Sequence, residues 1–310
     1  MTMKLTLTDR VERFVAMKRR LGYRFARNAS PLRNFARFAE DRGETSLRSG
    51  TAVEWASTAG PQSERIRRLH AVHALACWLH AEDARHEIPP RDALGYRSGR
   101  RPKPHLISIP DTRILLTAAL AMPPVGSIAP LTWHYLFGLI AVTGLRIGEA
   151  LALTLNDITP DGLVVRDAKF GKSRMVALHP TTRDALNRYL SVRRKEQTPD
   201  EHLFVITTGG PPCYSRAQKV FQRIAQQTGI RDPGSPRGPT LHSLRHSFAV
   251  RSLENLEPGA DPSRHMLALA THLGHSRVSH TYWYLESTPA LVRGIAEAAE
   301  KAHMSGRNHD

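Results

Sequence analysis

The segment from His242 to Tyr284 combines residue types that could carry out chemistry on a phosphate. It contains His242 and Arg245 as an H-x-x-R motif, then an L-G-H motif that ends at His275, and then Tyr284 nine residues later. The planar fork of an arginine binds two phosphate oxygens at once and stays charged. A tyrosine hydroxyl has a pKa of about 10 and is a weak nucleophile unless positive charge or a base lies close to it. The spacing therefore predicts a site in which a tyrosine attacks a phosphate held by arginine.

His242 and His246 also have the i, i+4 spacing of a metal-binding pair on a helix. A zinc peptidase helix needs a glutamate directly after the first histidine, but Ser243 occupies that position, and no third ligand is evident in the sequence. A metal pair is the less favoured alternative, and we expect no metal and no other cofactor.

Charge indicates the class of partner. The 310 residues carry 44 Lys and Arg against 28 Asp and Glu, a net charge of +16. Residues 1–110 have a net charge of +10 and residues 111–310 a net charge of +6, so the smaller N-terminal part is the more basic per residue. An excess of this size is typical of proteins that bind nucleic acid or another anionic surface. A solvated basic surface without a specific partner is the alternative.

The elements that must position these residues are predicted to form two domains, because 310 residues are many for one core. Residues 1–100 are expected to be a small helical domain, with Asp9 and Ser30 as N-caps of its first two helices. Apolar residues recur at helical spacing in four segments. These segments are 9–21, 30–42, 51–57 and 61–82.

Basic residues lie at two places in this N-terminal half. Arg65, Arg67 and Arg68 cluster at the start of the fourth predicted helix, and a proline-rich stretch at 86–110 contains Arg100, Arg101 and Lys103. We assign residues 101–110 to a basic, extended linker. All six basic residues are candidate contacts to a phosphate backbone, although a linker that is merely soluble fits its composition equally well.

Residues 111–310 are predicted to be a mostly helical domain with one small antiparallel β-sheet, which makes the fold class mainly α. Two short strands at 163–166 and 174–178 are joined by a turn, and 203–206 could be a third. No Walker A motif and no strand-linked dinucleotide-binding motif occurs, which argues against a P-loop or Rossmann domain. Helices are expected at 111–121, 131–153, 180–195, 214–228, 241–254, 262–272, 278–285 and 289–303.

The sequence also gives expectations about the location of the protein. No run of apolar residues approaches the length of a membrane span, and the charged N-terminal residues lack the apolar core of a signal peptide. We expect a cytoplasmic protein that associates with the nucleoid. Cys77 and Cys213 fit no metal spacing and are expected to be buried free thiols.

Four motifs in order carry a resemblance to a known family. These are TGLRIGEALALTLNDI at 143–158, the lysine-bearing hairpin AKFGKSRMVALHP at 168–180, HSLRHSFAV at 242–250 and LGHSRVSHTYWY at 273–284. Together they resemble the catalytic domain of tyrosine recombinases, also called phage integrases, and in particular recombinases of bacterial mobile elements. The resemblance covers about residues 110–300. More weakly, the N-terminal helices resemble the core-binding, SAM-like domain of that family.

The resemblance implies a role for each matching residue. Arg146 and Arg245 match the two arginines that hold the scissile phosphate, and Glu149, one helical turn after Arg146, matches an acidic position that orients Arg146. The other matches are Lys169, the general acid on the leaving 5′ oxygen, His242 and His275, the two conserved histidines, and Tyr284, the nucleophile.

Two of these assignments have competitors nearby. Lys172 lies three residues after Lys169, although the register against Arg174 favours Lys169. Tyr282 lies two residues before Tyr284, and residues two apart on a helix point in different directions, so only one of them can reach the phosphate. The interval from His275 selects Tyr284. Ala177 stands where the family commonly has a proline, a departure that leaves the chemistry unchanged.

The implied activity is cutting and rejoining of DNA strands through a 3′-phosphotyrosyl intermediate, without ATP or metal. The implied partners are double-stranded DNA and sibling protomers, four on two DNA sites, with the helix at 289–303 docking on a neighbour. The use in the cell would be integration or excision of a mobile element. The alternatives are a non-catalytic accessory recombinase and a type IB topoisomerase, which shares this chemistry.

Overall fold

A computed structural model describes residues 5–23, 25–96, 104–168, 172–196, 198–235, 237–256 and 261–274, together with Thr281 and Tyr284. The chain divides into two compact units, Met1–Arg101 and Pro102–Asp310. Helices dominate both units, and the described strands form one three-stranded antiparallel sheet. The predicted fold class is therefore confirmed. None of the described helices is both long and apolar enough to cross a membrane.

The described residues of the first unit form four helices around a core of their own. The core includes Phe14, Leu32, Phe35, Leu69 and Leu75, all of them almost fully buried. The helices are α1 (Leu7–Arg20), α2 (Ala26–Glu40), α3 (Ser49–Ser57) and α4 (Gln62–Glu82).

Two predicted N-caps in this unit are wrong. Thr6, and not Asp9, caps α1, while Asp9 is the third helical residue and completes the capping box by accepting from the backbone of Thr6. Ser30 lies inside α2, which begins four residues earlier. Pro31 therefore sits within the helix, where it has no N–H to offer the carbonyl of Arg27. Nη1 of Arg67 donates to that carbonyl at 3.2 Å instead.

The second unit is built mainly of helices. Its core contains Trp133, Phe137, Tyr189, Phe204 and Phe221. In chain order its helices are α5 (Ile109–Leu120), α6 (Ile128–Thr143), α7 (Ile147–Ala152), α8 (Pro180–Arg193), α9 (Tyr214–Gln227), α10 (Leu241–Glu254) and α11 (Pro262–Leu273). The strands between α7 and α8 are β1 (Ile158–Thr159), β2 (Gly162–Ala168) and β3 (Lys172–Val176), in the order β1-β2-β3 with Val165 opposite Arg174.

Several predicted elements of the second unit differ from the structure. The helix expected over 131–153 is two helices, with a break at Gly144 to Arg146. The possible strand at 203–206 is absent, and the neighbouring His202 forms only an isolated bridge to Thr154. Ser108, and not Asp111, caps α5. The helix predicted at 289–303 lies outside the described residues, as does the one at 278–285 apart from Thr281 and Tyr284.

Both cysteines are exposed free thiols, so the prediction that they are buried is wrong. Cys77 lies on the outer face of α4, and Cys213 is the residue that precedes α9. A single exposed side chain of this kind is ordinary, because apolar atoms make up more than half of the surface of a folded protein.

Candidate active site

A sharp break between α6 and α7 determines where Arg146 lies. Gly144 ends α6 in the left-handed conformation, with φ of 65°. A Cβ there would overlap the ring of Phe248, on α10, and lie 2.9 Å from Cδ2 of Leu273, on α11. Only glycine therefore allows the chain to turn this close to the two helices. Arg146 then becomes the N-cap of α7 instead of a residue within a helix.

Arg146 is fixed by its neighbour Glu149. Nη1 of Arg146 donates to Oε1 of Glu149 at 2.7 Å, and the backbone N–H of Arg146 donates to Oε2 at 2.9 Å. Nη2 of Arg146 donates to the carbonyl of Gly274 at 3.0 Å. The Arg146 side chain is 31% exposed, so its guanidinium is held by the protein and also accessible from solvent.

Arg245 approaches the same place from α10 and is 1% exposed. Its Nη1 donates to the carbonyl of Gly144 at 2.5 Å and its Nη2 to the carbonyl of Leu273 at 2.7 Å. Burial, together with the positive charge of Arg146, lowers the pKa of Arg245 to about 10. Arg245 therefore remains a cation at neutral pH, and the two predicted arginines converge on the ends of α6 and α11.

Arg174, on β3, belongs to the same site, although the sequence motifs did not single it out. Its Nη2 and Nη1 donate to the two carboxylate oxygens of Glu149 at 2.8 and 3.1 Å, and its Nε donates to the carbonyl of His272 at 2.9 Å. Burial raises the pKa of Glu149, but the hydrogen bonds from Arg174 and from Arg146 outweigh it and bring the pKa to about 2. The alternation of β3 was the signal for this role, because it places the charged Arg174 on the same strand face as buried Val176.

Gly274, the glycine of the L-G-H motif, allows the Arg174 side chain to approach the backbone closely. Gly274 ends α11 with φ of 64°, and a Cβ there would lie 2.9 Å from Nη1 of Arg174. On the other side, Nε2 of His272 is 2.8 Å from the carbonyl of Thr143. Burial lowers the pKa of His272, which favours a neutral ring that donates to this carbonyl. The C-terminal end of α11 is thus joined to β3 and to the end of α6.

α10 presents two imidazoles and contacts Tyr284. His242 is exposed, whereas His246 is 9% exposed and Tyr284 is 3% exposed. The rings of His242 and His246 meet edge to face with centroids 4.3 Å apart. Nδ1 of His246 is 3.0 Å from Oη of Tyr284. The Tyr284 ring belongs to an apolar cluster between α10 and α11 that includes Leu253 and Leu269.

Several predicted residues lie outside the described part of the chain. They are Lys169, His275, Arg100, Arg101, Lys103 and the competitor Tyr282. Lys172 is the first residue of β3, and its backbone pairs with Ala168. The choice between the two lysines stays a prediction.

The three arginines of α4 belong to the first unit, and each has partners within the protein. Nε of Arg65 donates to the carbonyl of Ala59 at 2.5 Å, and Arg67 forms an ion pair with Glu64 at 2.5 Å. The guanidinium of Arg68 lies over the Trp55 ring, 5.0 Å from its centroid. Their role as DNA contacts remains a prediction. Within the described residues, no group of three potential metal ligands occurs, either around His242 and His246 or elsewhere.

Comparison with known proteins identifies the family. The sequence profile of the phage integrase family matches residues 118–290. The chain is 35% identical over 308 residues to a putative integrase/recombinase of Sinorhizobium fredii named y4rB, covering 96% of this chain and 98% of that protein. It is 30% identical over 233 residues to tyrosine recombinase XerD of Brucella suis, covering 72% of this chain and 71% of that protein.

Solved structures show the same fold. The integrase of transposon Tn1549, in complex with transposon right-end DNA, superposes with a TM-score of 0.66 at 19% identity and covers 95% of this chain and 99% of that chain. A lambda integrase dimer bound to a core site gives a TM-score of 0.61 at 18% identity, covering 90% of this chain and 77% of that chain. The family profile and the relative from Sinorhizobium fredii, taken with the motifs above, show that the chain belongs to the phage integrase family of tyrosine recombinases.

Proposed function

We propose that the chain cuts and rejoins DNA strands with Tyr284 as the nucleophile. The observation that carries this proposal is the convergence of Arg146 and Arg245 on the turns that follow α6 and α11. The Tyr284 hydroxyl contacts His246, on the helix that also carries Arg245. Two guanidinium groups at one place are suited to neutralising the charge on the two non-bridging oxygens of a phosphodiester.

The reaction follows from these groups. Oη of Tyr284 attacks phosphorus and loses its proton, the bond between phosphorus and the 5′ oxygen breaks, and the 5′ oxygen takes up a proton as it leaves. The product is a 3′-phosphotyrosyl bond and a free 5′ hydroxyl. A 5′ hydroxyl of a partner strand then attacks the same phosphorus and loses its proton, and Tyr284 leaves with a proton. The number of phosphoester bonds is conserved, so the scheme consumes no ATP.

The family resemblance supports the remaining roles. We assign the proton for the leaving 5′ oxygen to Lys169, and we assign contacts to the phosphate to His242 and His275. Glu149 is the positioning residue of Arg146, an assignment supported by the two hydrogen bonds that it accepts from that residue. A general acid at the leaving group typically contributes a factor of about 10² to 10⁴ in rate.

The proposed partner is double-stranded DNA in the cytoplasm, and the proposed assembly is a tetramer of identical or sibling protomers. A net charge of +16 supports an anionic partner whose phosphates supply much of the affinity. The Tn1549 integrase is bound to transposon end DNA, and a lambda integrase tetramer is bound to a Holliday junction, with TM-scores of 0.66 and 0.60 against this chain. We propose integration or excision of a mobile element as the use.

The two compact units suggest a division of labour for the proposed domains. We propose that residues 1–100 bind DNA, that residues 101–110 follow the phosphate backbone as a basic linker, and that residues 111–310 carry the chemistry. The composition of residues 1–110 supports this, since they have a net charge of +10.

The test is covalent trapping on DNA from the ends of the element that encodes the chain. Duplexes tiled across each end carry a nick close to the candidate phosphate, so that the short strand is lost after cleavage and the protein remains attached. We expect a denaturation-resistant adduct with the wild-type chain and with Tyr282→Phe, and none with Tyr284→Phe, while all three bind the duplex equally.

Other outcomes point elsewhere. An adduct that persists in Tyr284→Phe but disappears in Tyr282→Phe would overturn the choice of nucleophile. Site binding by the wild-type chain without any adduct would indicate an accessory recombinase. Relaxation of any supercoiled plasmid by a monomer would indicate a topoisomerase.

A further inference from the structure

The buried imidazole of His246 is a group that the reaction scheme above does not use. It lies four residues after His242 on α10, so the two rings are neighbours on one face of the helix. Their environments differ, because His242 is exposed and His246 is 9% exposed. Nδ1 of His246 lies 3.0 Å from the Tyr284 hydroxyl.

Attack by Tyr284 on phosphorus requires a group that takes up the proton of its hydroxyl. A phenol with a pKa of about 10 must lose its proton when it attacks phosphorus at neutral pH. A general base must lie within hydrogen-bonding distance of the proton that it removes, and a neutral imidazole with a lone pair on Nδ1 meets that condition here. The tautomer that accepts from Tyr284 carries its own proton on Nε2.

The surroundings favour transfer of the proton along this bond. Tyr284 is 3% exposed, so little solvent can take its proton. Arg245 is next to His246 in the chain, and a negative charge on Tyr284 would attract the buried Arg245 cation. A nearby base and a nearby cation are two means by which proteins activate a hydroxyl.

We propose that His246 is the general base for Tyr284, an inference that rests on the proposed recombinase function. During cleavage the Tyr284 proton moves to Nδ1 of His246, Oη bonds to phosphorus, and the 5′ oxygen leaves with a proton from Lys169. During rejoining the attacking 5′ hydroxyl gives its proton to Lys169, and the imidazolium returns its proton to Oη as the bond between Tyr284 and phosphorus breaks. Each half-reaction therefore restores the protonation state that the other needs.

The central experiment is His246→Asn. Oδ1 of asparagine can occupy the place of Nδ1 and accept the same hydrogen bond, but it cannot take up the proton, and histidine and asparagine have similar helix propensity. We expect covalent cleavage of the nicked duplexes, measured in single turnover with protein in excess, to slow by about 10²-fold or more. Duplex affinity and the melting temperature should stay within error of the wild-type values.

A matched control is His134→Asn in α6. His134 is half-buried, and its Nδ1 lies 2.8 Å from the carbonyl of Leu116 on α5, so it is a helical histidine with a hydrogen-bonded Nδ1 that has no part in the proposed reaction. We expect it to cleave at the wild-type rate. If His246→Asn were to unfold the chain, His246→Gln would replace it, with circular dichroism to verify folding before any rate is compared.

A second measurement separates proton transfer from mere positioning. Fluorotyrosine at position 284 has a more acidic hydroxyl and needs a base less, so the rate deficit of His246→Asn should shrink with it. A 5′-bridging phosphorothiolate, which leaves without a proton, should not reduce the deficit, because His246 does not act on the leaving group.

The results divide cleanly. A wild-type chain that forms no Tyr284 adduct would refute the proposed function itself. If the adduct forms and His246→Asn cleaves at the wild-type rate or faster, only the role of His246 as a base is refuted. The hydrogen bond would then only hold the Tyr284 side chain in position. The role is refuted equally by a deficit that fluorotyrosine leaves unchanged, or by one that the phosphorothiolate removes.

Discussion

At the scale of single residues, Glu149 holds the site together through two arginines. Both of its carboxylate oxygens accept from Arg174, and both accept from Arg146, through its guanidinium and its backbone N–H. The motif spacing was enough to pair Glu149 with Arg146, three residues away on one helix. Arg174 is 25 residues away on a strand, so its contact depends on how the hairpin packs, which local periodicity does not encode.

Replacing Glu149 by glutamine should destabilise the second unit in a pH-dependent way. Removal of one partner from a buried ion pair leaves the other charge uncompensated, and we expect a loss of about 3 kcal/mol in the free energy of unfolding at pH 7. The pKa of Glu149 is lowered from 4.5 to about 2 in the folded chain. The unfolded state therefore binds the proton first as the pH falls, and the contribution of the carboxylate, complete above about pH 4.5, is lost toward pH 2.

The measurement is urea unfolding of wild-type and Glu149→Gln chains at several pH values. The difference in free energy should be largest at neutral pH and should narrow below about pH 4.5. Glu201→Gln, at an exposed position, serves as the control and should stay within about 0.5 kcal/mol of the wild-type chain. A difference that stays constant down to pH 3 would show that the Glu149 carboxylate is not the charge that Arg174 and Arg146 need.

At the scale of elements, ends of helices and turns, more than helix interiors, build the site. Arg146 is an N-cap, its partner Gly274 is a C-cap, and Arg245 donates to the residue that ends α6. Periodicity predicted most helices to within a few residues, including α10 at its observed bounds. It predicted a continuous helix through Gly144 because the apolar pattern continues on both sides, and it placed the start of α2 too late because Pro31 usually marks a first turn.

Two glycines of the same motif should respond in opposite ways to alanine. Gly144→Ala places a Cβ in a left-handed residue and against Phe248, so we expect a loss of more than about 1–2 kcal/mol, the strain of that conformation alone. Gly148→Ala lies within α7 with nothing within 4 Å of its Cβ and should gain about 0.5–1 kcal/mol. Thermal unfolding of both variants measures the pair. Equal effects would show that the α6–α7 break does not depend on Gly144.

At the scale of the whole molecule, each compact unit has its own apolar core. The cluster that includes Phe14 and Leu69 lies within Met1–Arg101, and the cluster that includes Trp133 and Phe137 lies within Pro102–Asp310. The composition shift and the prolines near residue 100 predicted such a boundary from sequence, since a break in periodicity needs no tertiary information. The contacts of Arg65 with Ala59 and of Arg68 with Trp55 could not be predicted, because both partners precede the helix that carries the arginines. The pair of Arg67 with Glu64 has the i, i+3 spacing that a helix brings together.

A fragment of residues 1–101 should therefore fold alone and bind duplex DNA with a steep salt dependence. Its buried core of four helices is expected to give one cooperative urea transition, which Phe14→Ala should weaken by about 3–5 kcal/mol and Leu21→Ala, at a site 63% exposed, should leave nearly unchanged.

If its basic residues contact phosphates, the logarithm of its binding constant should fall linearly with the logarithm of the salt concentration. Arg67→Ala should lose stability as well as affinity, because Arg67 also pairs with Glu64 and donates to the carbonyl that Pro31 leaves without a helical partner. An Arg67→Ala fragment that melts like the wild-type fragment would show that this contact adds nothing to the fold, and binding that is insensitive to salt would remove the first unit from the proposed DNA interface.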